Sequence, residues 1–156
     1  MNSSVSVAQS SDIFVLKESG SDFYDSGRCG LRIMHKINLA QKLSLINDHW
    51  NPRIAGELNG QLVKLVKFQG PFTWHHHENE DEMFMVVKGR FRMDYRDNGG
   101  DREEWIEAGE FIIVPRGIEH RPFAEEECEV MLFEPASTVN TGNVEDGFTR
   151  KELDRI

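Results

Sequence analysis

The stretch Gly70-Pro-Phe-Thr-Trp-His-His-His-Glu-Asn-Glu-Asp-Glu-Met-Phe-Met-Val-Val-Lys-Gly89 decides the reading of this chain. It holds His75, His77 and Glu82 within eight residues, between glycines that read as turns. A further histidine, His120, follows a second punctuated run, Gly109 to Gly117, with Pro115 inside it. Three imidazoles and one carboxylate from two segments form a mixed nitrogen and oxygen donor set for a divalent first-row metal.

Strand geometry makes His75 and His77 a pair, because residues two apart on a strand point to the same face. His76 then points away and falls outside the site. Glu82 begins the next strand, with Phe84 and Val86 on its inner face. Met83, Met85 and Val87 form an apolar opposite face that also needs cover. The His-His-His run has blander readings, as a tag fragment or an incidental cluster. Its internal position and the separate Gly-Pro-Gly-His segment favour a metal site. Glu78, Asn79, Glu80 and Asp81 read as a solvated loop.

Working outward, residues 1–11 are polar and Ser-rich and are expected to be flexible. Short apolar runs occur at 13–16 and 31–37. Asn38 is a good helix N-cap with Gln41 three residues on, as in a capping box. Leu39, Leu43, Ile46 and Trp50 recur at helical spacing, and Asn51-Pro52 stops the helix. His35 and His49 flank or belong to it and receive no role. After Gly60 the chain changes to strands: Leu62-Val-Lys-Leu-Val-Lys-Phe68, Glu82-Met-Phe-Met-Val-Val87, Arg90-Phe-Arg-Met-Asp-Tyr95, Phe111-Ile-Ile-Val114 and Glu129-Val-Met-Leu-Phe133. Several strands without intervening helices read as an all-β sandwich or barrel. The expected organisation is a flexible 1–11, N-terminal strands and helix over 12–60, the main β domain over 61–135 and a polar tail over 136–156.

Composition bounds the function. A chain of 156 residues is one ordinary domain, and 38% hydrophobic content supplies a core. A formal charge of −9 argues against phosphate-driven nucleic-acid binding and against an anionic membrane surface. No stretch approaches the ~20 apolar residues of a bilayer span. The N-terminus lacks the basic and apolar regions of a signal peptide, so the cytoplasm is the expected compartment and the Asn2-Ser-Ser4 sequon reads as accidental. Cys29 and Cys128 are too few for a disulfide framework, and Cys128 reads as a small buried hydrophobe.

The two segments resemble the paired motifs of the cupin superfamily. The first motif, G-x5-H-x-H-x3–4-E-x6-G, is matched by His75-x-His77-x4-Glu82-x6-Gly89, with Gly70 one residue too close to His75. The second, G-x5-P-x-G-x2-H-x3-N, is matched by Gly109-x5-Pro115-x-Gly117-x2-His120, with Ala124 in place of the final Asn. The resemblance implies an all-β double-stranded β-helix (jelly-roll) barrel, here with an N-terminal extension containing one short helix. It implies one divalent ion per chain (Fe, Mn, Ni, Co, Zn or Cu) on His75, His77, Glu82 and His120. It also implies a homodimer, which would cover the outer apolar face and an open strand edge.

The function expected from the resemblance is a metal-dependent enzyme on a small oxygenated metabolite, by isomerase-, dioxygenase- or lyase-type chemistry. The chain looks most like short single-cupin proteins labelled phosphomannose-isomerase-like. The alternative is a non-catalytic module that binds a small ligand or metal. Lys64 and Arg121 are candidates to support the site, although each reads first as a solvated charge, as do Arg90 and Arg92. Phe72, Trp74 and Phe123 are candidates for an apolar pocket wall. No residue is singled out as catalytic.

Overall fold

The computed structural model describes residues 34–156. The expectations for residues 1–11, for the run at 13–16, for residues 31–33 of the run at 31–37 and for Cys29 lie outside the described residues. The elements are α1 (Leu39–Leu43), β1 (Arg53–Leu58), β2 (Gln61–Pro71), β3 (Glu82–Lys88), β4 (Arg90–Asp97), β5 (Gly100–Glu107), β6 (Phe111–Val114) and β7 (Glu119–Pro135). No helix among them is long and apolar enough to cross a membrane.

All strand ladders are antiparallel, in the order β1-β2-β7-β3-β6, with β4 and β5 attached through β7. This corrects the expected jelly-roll barrel: the sheet is not closed. β7 does the joining, since residues Glu119 to Phe123 pair with β4 while Glu129 to Phe133 lie between β2 and β3. The remaining edges, on β1, β5 and the four-residue β6, pair with no other strand among the described residues.

Alternation along the strands sets the interior. Val66 and Phe68 of β2, Phe84 and Val86 of β3, Phe91 and Met93 of β4, and Cys128, Val130 and Leu132 of β7 form one buried cluster. Burial pushes the Cys128 thiol up to about 12, which keeps it an inert apolar filler. A second cluster lies on the other face of β2, where Leu65 meets Leu43 and Ile46, with Val87 and Met131 packed against it. Part of the outer apolar face is thus covered from within the chain.

The helix is shorter than its sequence stripe. Asn38 caps it, accepting from the Gln41 amide at 3.1 Å. Ser44 then donates to Gln41 O at 2.8 Å, and the helix ends at Leu43. Trp50 does not continue the stripe: with φ of 58° it turns into the main core, stacks on Phe68 at 4.3 Å and donates to Gln69 O at 2.8 Å.

Candidate metal centre

The segment from Phe72 to Asp81 is largely irregular, so the expected strand pairing of His75 and His77 is realised differently. His75 forms a lone antiparallel bridge to His120, with amide-to-carbonyl bonds of 3.1 and 2.8 Å. His77 is tied one step along, where its carbonyl accepts from the Gly117 amide at 2.7 Å. The extended backbone still alternates, so both side chains enter the interior while His76 turns out toward Glu78 at 3.1 Å.

The structure brings the four expected residues together. His75, His77, Glu82 and His120 are 2%, 4%, 3% and 1% exposed, and one donor atom of each lies within 4.8 Å of the others. His75 Nδ1 and His120 Nδ1 face the carbonyls of Thr73 and Ile118, each at 2.9 Å. A carbonyl only accepts, so each Nδ1 carries the proton and each Nε2 keeps its lone pair for a cation. Glu82 Oε2 lies 3.2 Å from His77 Nε2 and 3.5 Å from His120 Nε2, yet all three atoms are buried without a hydrogen bond. Buried polar atoms of this kind call for a partner, and a divalent ion among them supplies one. The cluster is capable of holding a single such ion.

The electrostatics agree with a neutral His75 beside an ionised Glu82. Burial first, and then neighbouring His120, lower the His75 imidazole to about 4. For Glu82, burial pushes the carboxyl up, but His120 and His77 outweigh it and hold it well below the ordinary range.

Two further groups stand behind Glu82. Lys64 and Glu134, fully buried on β2 and β7, make an ion pair of 2.6 Å, and Lys64 Nζ also donates to Thr138 O at 3.2 Å. Glu134 follows Phe133, which pairs with Met83, so the β3–β7 register sets it beside Glu82. Burial and then the Glu82 charge push Glu134 well above the usual carboxylate range, against the pull of Lys64. Glu134 escaped the sequence reading, although it keeps step with Val130 and Leu132 and so belongs to the inner face. Lys64 likewise keeps step with Val66 and Phe68 and is not a solvated charge.

Beside His75 and Glu82 is a narrow cavity of about 20 Å³, walled by Trp50, Phe68, Phe72 and Phe84 with Asn140 at its side. That is room for about one water. Phe72 packs edge-on against His75 at 5.4 Å. Trp74 and Phe123 do not reach this cavity. Trp74 carries the guanidinium of Arg96 at 4.0 Å and that of Arg121 at 5.1 Å, and Phe123 carries Arg92 at 5.1 Å. Arg92 and Arg121 are both bound to Asp94, each with a contact of 2.6 Å, so neither supports the metal site.

Residues 136–156 lie along the histidine segment rather than trailing from it. The His76 amide donates to Asn143 Oδ1 at 2.9 Å, and the Asn143 amide donates to His76 O at 3.1 Å. Thr73 bonds to Asp146, Ser137 donates to Glu80 at 2.9 Å, and Phe148 packs on Phe72 at 5.2 Å. Gly142, at φ of 50°, lies so close that a Cβ would collide with His76 O.

Comparison with known proteins adds four findings. The cupin domain family matches residues 63–134. The YdbB protein of Bacillus subtilis (strain 168), itself uncharacterized, is 34% identical over 65 residues, covering 42% of this chain and 55% of that protein. The match therefore spans little more than half of that relative. A cupin-2 domain containing protein from Shewanella frigidimarina NCIMB 400 is similar in crystal structure, with 43% identity, a TM-score of 0.60 and coverage of 64% of this chain and 93% of that one. Hydroquinone 1,2-dioxygenase from Sphingomonas sp. TTNP3, solved with 4-hydroxybenzoate bound, is similar at 21% identity and a TM-score of 0.58, over 64% of this chain and 32% of that one. At that identity the likeness shows a shared fold.

Proposed function

This chain belongs to the cupin superfamily, and from that premise we propose that it is a metal-dependent enzyme acting on a small oxygenated metabolite. The observation that carries the reading is the buried convergence of His75, His77, Glu82 and His120 with three donor atoms left unpaired. Four protein ligands leave about two positions on an octahedral ion, enough for a ligand with two adjacent oxygens. A divalent ion there would supply Lewis acidity to a carbonyl, enediol or hydroxy-acid. The chain's own groups would orient and shield that ligand: Phe72 and Trp50 exclude water on one side, and Asn140 is a polar group of the cavity wall beside His75 and Glu82. Isomerase-, dioxygenase- and lyase-type reactions all suit such a centre, and a fold alone does not choose among them.

A non-catalytic metal- or ligand-binding module is the second reading, favoured by the water-sized cavity. One experiment separates the two. Purified protein is expected to carry roughly one divalent ion per chain. His75→Ala or His77→Ala removes most of it, whereas His76→Ala retains it. A thermal-shift screen of hydroxy-acids, keto-acids and enediols on metal-loaded and metal-stripped protein is expected to give hits on the loaded form alone, followed by turnover of a hit. Absence of any metal-dependent hit would turn the assignment to the binding module, and equal metal loss in all three variants would sink the ligand set.

We further propose a homodimer. Met83, Met85 and Val87 are half-buried rather than exposed, so the support moves to β6, where Phe111 and Ile113 are 60% and 55% exposed on an edge strand. Light scattering that gives a monomer mass at high micromolar concentration rules it out.

A further inference from the structure

A lysine and a glutamate with no exposure are costly to bury, because each loses its hydration and recovers it only through good partners. Lys64 spends its ammonium on Glu134 at 2.6 Å and on Thr138 O at 3.2 Å. Glu134 faces Lys64 at 2.6 Å and, because Met83 pairs with Phe133, the β3–β7 register sets it beside Glu82, with no hydrogen bond between the two carboxyls. Both side chains leave the inner faces of the central strands β2 and β7, where Val66, Phe68, Val130 and Leu132 show that apolar residues fit. A hydrophobic pair would fill the space at least as cheaply. The pair is therefore explained by what it stands beside, the only carboxylate of the metal cluster.

We propose that Lys64 and Glu134 are positioning residues of the metal centre. Lys64 anchors Glu134 against the backbone of Thr138, and Glu134 holds the Glu82 carboxyl with Oε2 turned toward His77 and His120. Glu82 needs such support more than the histidines do, since His75 and His120 are each aligned by a backbone carbonyl behind the ring. The inference rests on the metal-binding reading above and adds two residues to it, neither of which belongs to the expected ligand set.

The test uses the whole chain loaded with Co²⁺, whose absorption bands report ligand geometry independently of any activity. Three variants are compared with wild type: Glu134→Gln, the double variant Lys64→Met with Glu134→Leu, and Lys64→Arg. Loss of a group that orients a metal ligand typically weakens metal binding roughly 10- to 100-fold. Glu134→Gln is expected to weaken Co²⁺ binding by that order and to shift the bands. The double variant strands no charge, so it keeps its fold, and it is expected to show the same band shift with weakened binding. Lys64→Arg keeps a cation beside Glu134 and is expected to stay within a few-fold of wild type. If the double variant binds Co²⁺ with wild-type affinity and bands, the pair is only core filling and the proposal is overturned, even where Glu134→Gln alone is impaired by its unpaired ammonium. Wild-type protein that takes up no Co²⁺ would overturn the metal reading itself.

Discussion

His75 shows what burial does to a single titrating group. Its imidazole, lowered to about 4 from an ordinary value of 6.5, stays neutral in the fold. The unfolded chain takes up that proton near its ordinary value. Between pH 6.5 and 4 the unfolded state therefore binds more protons, and stability falls as the solution is acidified. Glu82 acts in the same sense, because a depressed carboxyl lends stability above the ordinary carboxylate range and loses it as pH falls. Glu134 acts oppositely, its raised carboxyl favouring the fold at low pH and losing that contribution as pH rises. For metal-stripped protein, the His75 contribution lost between pH 7 and pH 4 is about 3 kcal/mol, at 1.36 kcal/mol per unit. Urea unfolding at steps across that range measures it, with His75→Asn as the comparison. The variant is expected to show a shallower loss, and an unchanged slope would place the titration on another group. The same protons compete with a cation for the Nε2 atoms, so bound metal should protect the protein most at neutral pH.

At the level of elements, legibility followed burial. β2, β3, β4 and β6 were visible as alternating apolar runs because one face of each meets the core, and the two metal motifs stood on or beside them. β5 was invisible: residues 101–105, Asp-Arg-Glu-Glu-Trp, have no buried member, and the strand is held by its ladder to β4 with Ile106 alone entering the core. The first half of β7 was hidden by Pro122 and by the acidic run at 125–127, both unusual in a central strand. β1 was missed although its signal was present. Asn59-Gly60 is a strong two-residue hairpin sequence, and its φ values of 52° and 76° fit a type I′ turn between β1 and β2. Gly60→Val places a β-branched residue at positive φ and is expected to destabilise the fold by about 1–3 kcal/mol. Its metal affinity should remain that of wild type, because the turn is remote from the ligands in the pairing order. Calorimetry and a metal titration on the same sample check both halves, and lost affinity at a modest melting shift would tie the hairpin to the site.

The whole molecule has one dependence that local patterns could not reveal. A polar segment with Asn140-Thr-Gly-Asn143 reads as a turn and a tail, because its partners lie 57 and 67 positions earlier. In the fold it runs from the end of β7 along the histidine segment and on to β1, where the Ile54 amide donates to Asp154 O and the Ile156 amide donates to Ile54 O. Thr141 is fully buried, donating to Val144 O at 2.7 Å and sharing a 2.8 Å hydroxyl contact with Thr149. The segment therefore has two attachments with different work, one to the backbone of His76 and one to the edge of β1. Removing residues 150–156 cuts only the second and is expected to lower the melting temperature by several degrees without changing metal affinity. Removing residues 136–156 also frees His76, bares Phe72 and deletes the Thr138 carbonyl that anchors Lys64. That truncation is expected to release bound Co²⁺ to a chelator at least about tenfold faster than wild type, since the histidine segment loses the bonds that hold it extended. Chelator-chase kinetics on the two truncations, at a temperature where circular dichroism shows both folded, separate the two effects. Equal release rates would assign the whole segment to stability and leave the site independent of it.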